Sequence, residues 1–203
     1  MKLSVLSLRY SSWSMRAWLV MTQAGANFEV DTVTLPDLSG DPKKSGSLGK
    51  DVVEERKQLG SVRGLFPVLH VEDTSIYESL AICEYIAELY PQAHLWPEYP
   101  LDRARARSVC NEMTTGFMAL RGECSCHLFA RVPKFTPRDP EELQADIDRV
   151  LEVWTECLER SGGPYLFGEH FGIADAMYYP VLTRFWTYGV VDFEKVDDKI
   201  KAY

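Results

Sequence analysis

The 203-residue sequence predicts an α/β domain followed by an all-α domain. Three observations predict it. The first residues alternate strand-like, helix-like and strand-like text, the signature of a β-α-β unit with parallel strands. Between residues 91 and 100, PQAHLWPEYP places three prolines in ten positions, the composition of a linker. Beyond residue 100 every apolar pattern has helical period. The expected organisation is therefore an α/β domain over residues 1–90, a linker over 91–100 and a helical domain over 101–203.

The elements follow in order. KLSVLSL, residues 2–8, alternates apolar and polar and reads as a strand. Met15, Trp18, Leu19, Met21 and Ala24 share a helical face, and Gly25 suits a helix stop. FEVDTVTL, residues 28–35, alternates again. Residues 36–50 are rich in Pro, Gly and Ser and read as loop, and a short charged helix is expected over about 51–59. GLFPVLHV (64–71) and TSIYES (74–79) read as two strands joined by a tight turn at Glu72-Asp73. A helix is expected over 78–90. The helical domain should hold a long helix from Leu101 to about Val132, bent near Gly116 or Gly122. A second runs from Pro140, suited to a first turn, to Arg160. A third spans 173–188, and a fourth starts at Phe193. The text is still helical where it stops, so a longer natural protein is expected.

Composition narrows the function classes. The net charge of -8 argues against a broad nucleic-acid surface, which needs a basic face. No run of about 18 apolar residues is present, so no membrane span is expected. The N-terminus lacks the apolar core of a signal peptide. The five cysteines, Cys83, Cys110, Cys124, Cys126 and Cys157, are odd in number and sit mostly in helical text. They read as reduced thiols of a cytoplasmic protein. Cys124, Cys126 and His127 form a CSCH cluster, but no fourth ligand stands at a recognisable spacing, so no metal is expected.

Three short stretches carry chemistry. YSSWSMR, residues 10–16, concentrates serines at a strand-to-helix junction. Such serines cap helices, and the same helix start can hold an anion. Phe66-Pro67 puts a proline at a strand entrance. In the cis form it would leave the Phe66 backbone free to pair with an extended ligand. Glu78-Ser79 stands where a strand hands over to a helix. Ser79 can cap that helix, or the pair can receive a zwitterion, Glu78 taking an ammonium and Ser79 a carboxylate.

In this order and at these separations, the stretches SSWSMR, SVRGLFPVL and IYESLAICEYI, with FGIADAMYYPVL in the helical half, resemble a glutathione transferase. The resemblance covers both halves. The serine cluster is most similar to serine-type members of the zeta class and related bacterial proteins, with Trp13 standing where the zeta pattern has cysteine. The resemblance implies a thioredoxin-like N-terminal domain and an all-helical C-terminal domain. It implies glutathione as co-substrate, lying along Phe66 and a cis Pro67 with its γ-glutamyl end at Glu78 and Ser79. It places the glutathione sulfur at the start of the first helix, where a serine hydroxyl and the helix dipole favour the thiolate. Lowering a thiol pKa of about 8.5 by about two units is worth about 2.7 kcal/mol. Ser11 and Ser12 both qualify for the hydroxyl; the four-residue spacing from Ser12 to Arg16 matches several serine classes and favours Ser12. Tyr10, Trp13, Met113 and Phe117 are candidate apolar walls for a second substrate. Asp175 matches the capping-box aspartate, but Gly172 stands where Ser or Thr is usual.

The expected protein is a cytoplasmic, homodimeric, glutathione-dependent transferase that attacks a small, largely apolar electrophile. One alternative is a zeta-like cis-trans isomerase of a maleyl-type diacid, which would need cations from Arg16, Arg121, Lys43 or Lys44. The other is a non-catalytic binding module on the same fold.

Overall fold

A computed structural model of the chain describes residues 1–32, 57, 60–61 and 64–203. The expected loop over 36–50, with Lys43 and Lys44, lies outside the described residues, as does the expected helix over 51–59 except for a helical Lys57. The chain forms two compact units, Met1–Glu88 and Leu89–Tyr203.

The first unit is built on β1 (Lys2–Val5), α1 (Ser12–Gln23), β2 (Glu29–Thr32), β3 (Val68–Val71), β4 (Thr74–Tyr77) and α2 (Ser79–Leu89). The sheet order is β2-β1-β3-β4. β1 and β2 are parallel, as a helical crossover requires, and β3 and β4 run antiparallel to their neighbours. The β3–β4 hairpin turns at Glu72-Asp73 as expected, with Glu72 at φ +52. Leu3, Val5, Met15, Val20, Met21, Val68, Leu69, Ile82 and Ile86 are buried at 2% exposure or less. Leu3 and Val5 alternate as a strand face and Ile82 and Ile86 are i, i+4 on a helix, but Val68 and Leu69 are adjacent, and in α1 Val20 is buried while Trp18 and Leu19, expected on the apolar face, are only half-buried. α1 ends at Ala24 with Gly25 just beyond it at φ +65, a left-handed stop that glycine adopts without a Cβ clash.

The second unit opens on the proline-rich segment expected as a linker. It is packed rather than extended: Pro91–Ala93 form a 3₁₀ turn, Leu95 is 3% exposed, and its carbonyl accepts from Ile173 N at 3.0 Å. The helices are α3 (Pro100–Thr115), α4 (Met118–Glu123), α5 (Pro140–Ser161), α6 (Ile173–Tyr188) and α7 (Asp198–Ala202). Trp154 is fully buried at the centre, its ring 6.1 Å from Tyr178 and 5.7 Å from Phe185. Asp139 caps α5 by accepting from Glu142 N at 3.2 Å, Pro140 occupies its first turn, and Gly162 closes it at φ +68. No described helix is long and apolar enough to cross a membrane.

Two helix expectations are corrected. The single long helix to Val132 is two helices followed by loop. α3 stops at Thr115, and Phe117 takes φ +56 before α4 begins. From Cys124 onward the backbone is held by tertiary partners instead of helical ones. Arg184 Nε donates to the Cys124 carbonyl at 2.8 Å, Thr187 Oγ1 to the His127 carbonyl at 2.7 Å, and Val132 N to the Thr187 carbonyl at 2.8 Å. Helical text loses to these fixed bonds because propensity is a weak prior. The last helix starts at Asp198 rather than Phe193, since Asp192 and Asp197 bond the local N–H groups of Glu194 and Lys199 into turns.

Gly172 has a structural reason. It precedes α6, and a Cβ built on it would lie 2.9 Å from the Leu95 carbonyl oxygen. Contact that close with backbone cannot be relieved by a rotamer change. We expect Gly172→Ser, which on helix-capping grounds alone should stabilise, to lower stability by about 1–3 kcal/mol through overpacking. Urea unfolding followed by circular dichroism measures it, and an unchanged or raised midpoint refutes the crowding account.

Candidate functional site

The site is assembled from three junctions of the first unit. The first is the approach to α1. Ser11 is its N-cap, with φ -94 and ψ 96; its Oγ accepts from Ser14 N at 3.3 Å and donates to Ser14 Oγ at 3.0 Å. Ser14 is fully buried inside the first turn. Ser12 is the first helical residue, 8% exposed, and its hydroxyl has no hydrogen-bond partner among the described residues. α1 carries no acidic residue in its first turn, so its positive end is left uncompensated and suits an anion. One turn on, Arg16 is 1% exposed with its guanidinium 4.5 Å from the Trp13 ring centroid.

The second junction is the entrance to β3. The Phe66–Pro67 peptide is cis. Neither the N–H nor the C=O of Phe66 is hydrogen-bonded among the described residues. Upstream, the Ser61 hydroxyl donates to the Leu65 carbonyl and the Ser61 carbonyl accepts from Gly64 N at 3.1 Å.

The third junction lies between β4 and α2. Glu78 is exposed and sits at φ +72, an uncommon conformation for a residue with a side chain. Its carbonyl accepts from Ile82 N at 3.1 Å, so the N–H groups of Ser79, Leu80 and Ala81 are the unsatisfied donors at the helix start. The expected capping by Ser79 is not seen. Ser79 lies inside the helix, 2% exposed, and its hydroxyl donates to the Trp13 carbonyl at 3.0 Å. That bond ties the first turn of α1 to the start of α2. It also commits the Ser79 proton, so an arriving carboxylate must be met by backbone N–H groups unless this hydroxyl turns.

The three junctions surround a cavity of about 230 Å³ lined by Trp13, Ser61, Leu65, Phe66, Pro67, Tyr77, Glu78 and Ser79. The four residues read from the sequence as ligand contacts thus share one space, and Trp13 joins them. Ser11, Ser12 and Tyr10 do not line it; Tyr10 is 52% exposed. Met113 and Phe117, read as pocket walls, are core side chains of the second unit at 0% and 5% exposure, Phe117 edge-on to Tyr178 at 6.3 Å. Their helical spacing marks burial against α6. Ser61, Leu65 and Tyr77 were not singled out, although all three lie in the stretches SVRGLFPVL and IYESLAICEYI that carry the resemblance.

All five cysteines are free and buried. Burial pushes the Cys83 thiol up to about 12, despite Arg16 nearby, and the Cys124 and Cys157 thiols up to about 11. These thiols stay protonated at neutral pH. Among the described residues no group of three or more His, Cys, Asp or Glu could hold a metal ion.

Residues 10–89 match the family model of the glutathione S-transferase N-terminal domain, and residues 130–203 match that of the glutathione S-transferase C-terminal domain. The chain is 26% identical to glutathione S-transferase omega-2 of Mus musculus over 189 residues, covering 93% of the chain and 67% of that protein. It is 25% identical to maleylacetoacetate isomerase of Mus musculus, covering 84% of the chain and 72% of that protein. Its fold matches a glutathione transferase homologue from Burkholderia with bound glutathione at a TM-score of 0.69 and 23% identity, covering 100% of this chain and 88% of that one.

Proposed function

The chain belongs to the glutathione S-transferase family, with a thioredoxin-like N-terminal domain and a helical C-terminal domain, and from that premise we propose that it activates the thiol of bound glutathione for attack on a small, largely apolar electrophile. The observation that carries this reading is the shared cavity of Phe66, Pro67, Glu78 and Ser79 with Trp13, the second residue of α1. The unpaired Phe66 backbone receives the cysteinyl backbone of the tripeptide as a strand would. The Glu78 carboxylate takes the γ-glutamyl ammonium. The N–H groups at the start of α2 take its carboxylate. The sulfur comes to the uncompensated positive end of α1, where the Ser12 hydroxyl donates to the thiolate. Ser12 is preferred over Ser11 because the Ser11 hydroxyl is already spent on Ser14 in both directions. Burial holds the Cys83, Cys124 and Cys157 thiols protonated, which favours a reactive sulfur that comes with the ligand. A cytoplasmic homodimer acting in detoxification completes the proposal.

The likeness to maleylacetoacetate isomerase supports a second reading, cis-trans isomerisation of a maleyl-type diacid. Two of its expected cations are engaged elsewhere. Arg16 is buried under Trp13, and Arg121 Nη1 donates to the Thr114 and Gly116 carbonyls at 3.1 and 3.2 Å.

The test is the thiolate absorbance of bound glutathione against pH. The expected result is a thiol pKa about two units below the free value. An unshifted value with saturable binding points to the non-catalytic binding module and overturns the transferase reading. A panel of an aryl halide, an organic peroxide and a maleyl-type diacid then separates conjugation from isomerisation.

A further inference from the structure

One polar group of the first unit has no part in the glutathione reading, the imidazole of His70 in β3. Its Nε2 lies 3.0 Å from the Ser4 hydroxyl of β1, and its Nδ1 lies 3.1 Å from the Ser75 hydroxyl of β4. The three side chains form a polar rung across the sheet. Their protons fix the state of the ring. Ser4 is 1% exposed and has no other hydrogen-bond partner among the described residues. Its proton therefore goes to Nε2, the imidazole is neutral, and Nδ1–H donates to Ser75. A second proton on the ring would force Ser4 to accept instead, and would leave the buried Ser4 proton without an acceptor.

The groups facing the ring among the described residues are Lys2 and Ser4 on β1, Asp31 on β2, Ser75 on β4 and Gly60. Burial and Lys2 hold His70 below the usual histidine range, with Asp31 pulling the other way. Lys2 and Asp31 are themselves paired at 3.7 Å.

Gly60 covers this rung. A Cβ built on it would lie 2.7 Å from His70 Cε1, 2.8 Å from Ser75 Oγ and 3.3 Å from His70 Nδ1, and its φ is +86. The next residue, Ser61, is 2% exposed, lines the glutathione cavity and holds the carbonyl of Leu65, which directly precedes Phe66. One peptide thus separates the cover of the imidazole from the cavity wall. An imidazolium calls for water or acceptors at both ring nitrogens, and the space over Nδ1 is taken by the Gly60 backbone.

We propose that neutral His70 is a positioning residue for the glutathione site, seating Gly60 and through it the wall of Ser61, Leu65 and Phe66, and that protonation of the ring unseats this wall and releases the tripeptide. The proposal rests on the glutathione reading and adds to it an affinity that falls in acid.

The test uses the full chain and S-methylglutathione, which keeps the tripeptide's backbone and both ends but has no thiol to titrate. Calorimetry between pH 7.5 and pH 5.0 compares wild type with His70→Gln, whose amide offers one donor and one acceptor and gains no proton. Wild-type affinity should fall about tenfold across this range, and that of His70→Gln by less than about threefold. Any titration at Glu78 is common to both proteins and cancels in the comparison. The circular dichroism spectrum and Tm of the variant verify its fold. A second measurement needs no variant. The coupling is reciprocal, so saturating S-methylglutathione should lower the titration midpoint of the His70 ring resonance in wild type by about one unit. Equal pH dependence in the two proteins, or a midpoint that the ligand leaves in place, would overturn the proposal. Absence of binding at pH 7.5 would overturn the glutathione reading with it, whereas binding indifferent to pH overturns this inference alone.

Discussion

Asp175→Ala is expected to lower stability by about 3–5 kcal/mol. The carboxylate is 1% exposed and accepts from Leu166 N at 2.9 Å and Gly172 N at 2.7 Å. The Tyr203 hydroxyl also donates to it. Alanine leaves three donors without partners, and each buried orphan costs about 1–3 kcal/mol. Asp175→Asn is expected to cost less, about 1–3 kcal/mol at pH 7, because the amide nitrogen is a donor facing a donor. The two variants also separate a pH effect. Burial pushes the Asp175 carboxyl up from 3.8 to about 6, with its three donors pulling the other way. A raised folded-state pKa contributes stability that is fully present below the unfolded value and is lost as pH rises through the folded one. The stability of wild type minus that of Asp175→Asn should therefore grow by about 2 kcal/mol from pH 7 to pH 4. Urea unfolding at several pH values reads it directly. A flat difference, or one that shrinks toward low pH, rejects burial as the dominant influence on this carboxyl.

Ser12→Ala is expected to raise the pKa of the bound glutathione thiol by about 1–2 units and to cut turnover of an aryl halide at pH 7 by about 10- to 100-fold. Glutathione affinity should change little, since the contacts proposed for the tripeptide at Phe66, Glu78 and the start of α2 are left intact. Ser11→Ala should show the opposite pattern. It loses the cap that accepts from Ser14 N, costing about 1 kcal/mol of stability, with the thiol pKa nearly unchanged. Thiolate absorbance and thermal unfolding measured on both variants give the comparison. A thiol pKa that moves with Ser11 and not with Ser12 would reverse the assignment. One that moves with neither would leave the helix start itself as the source of activation.

The legible parts of the fold were those written in local chemistry. Pro140 behind Asp139 marked the start of α5, and the Ile173–Tyr188 helix appeared within its expected bounds. The misread parts were settled by distant groups. Nothing near Cys124 announces that Arg184, sixty residues on, will take its carbonyl. Nothing near Gly172 announces the Leu95 carbonyl that excludes a side chain there. Ser79 looked like a cap because serine at a helix start usually is one. Its proton instead goes to Trp13, 66 positions earlier.

The sequence by itself determined the β-α-β opening, the β3–β4 hairpin, the division into an α/β half and a helical half and the three stretches that form the candidate site, because apolar period, proline position and capping chemistry act over a few residues. Only the tertiary structure decided which hydroxyl is spent. Ser11 bonds Ser14, Ser79 bonds the Trp13 carbonyl, and the Ser12 hydroxyl has no partner among the described residues. A hydroxyl has one proton, and where it goes depends on the nearest acceptor in space. For Ser11 that acceptor is three residues away within α1, but for Ser79 it is the Trp13 carbonyl, brought there by the meeting of the starts of α1 and α2, which no local stretch of sequence records.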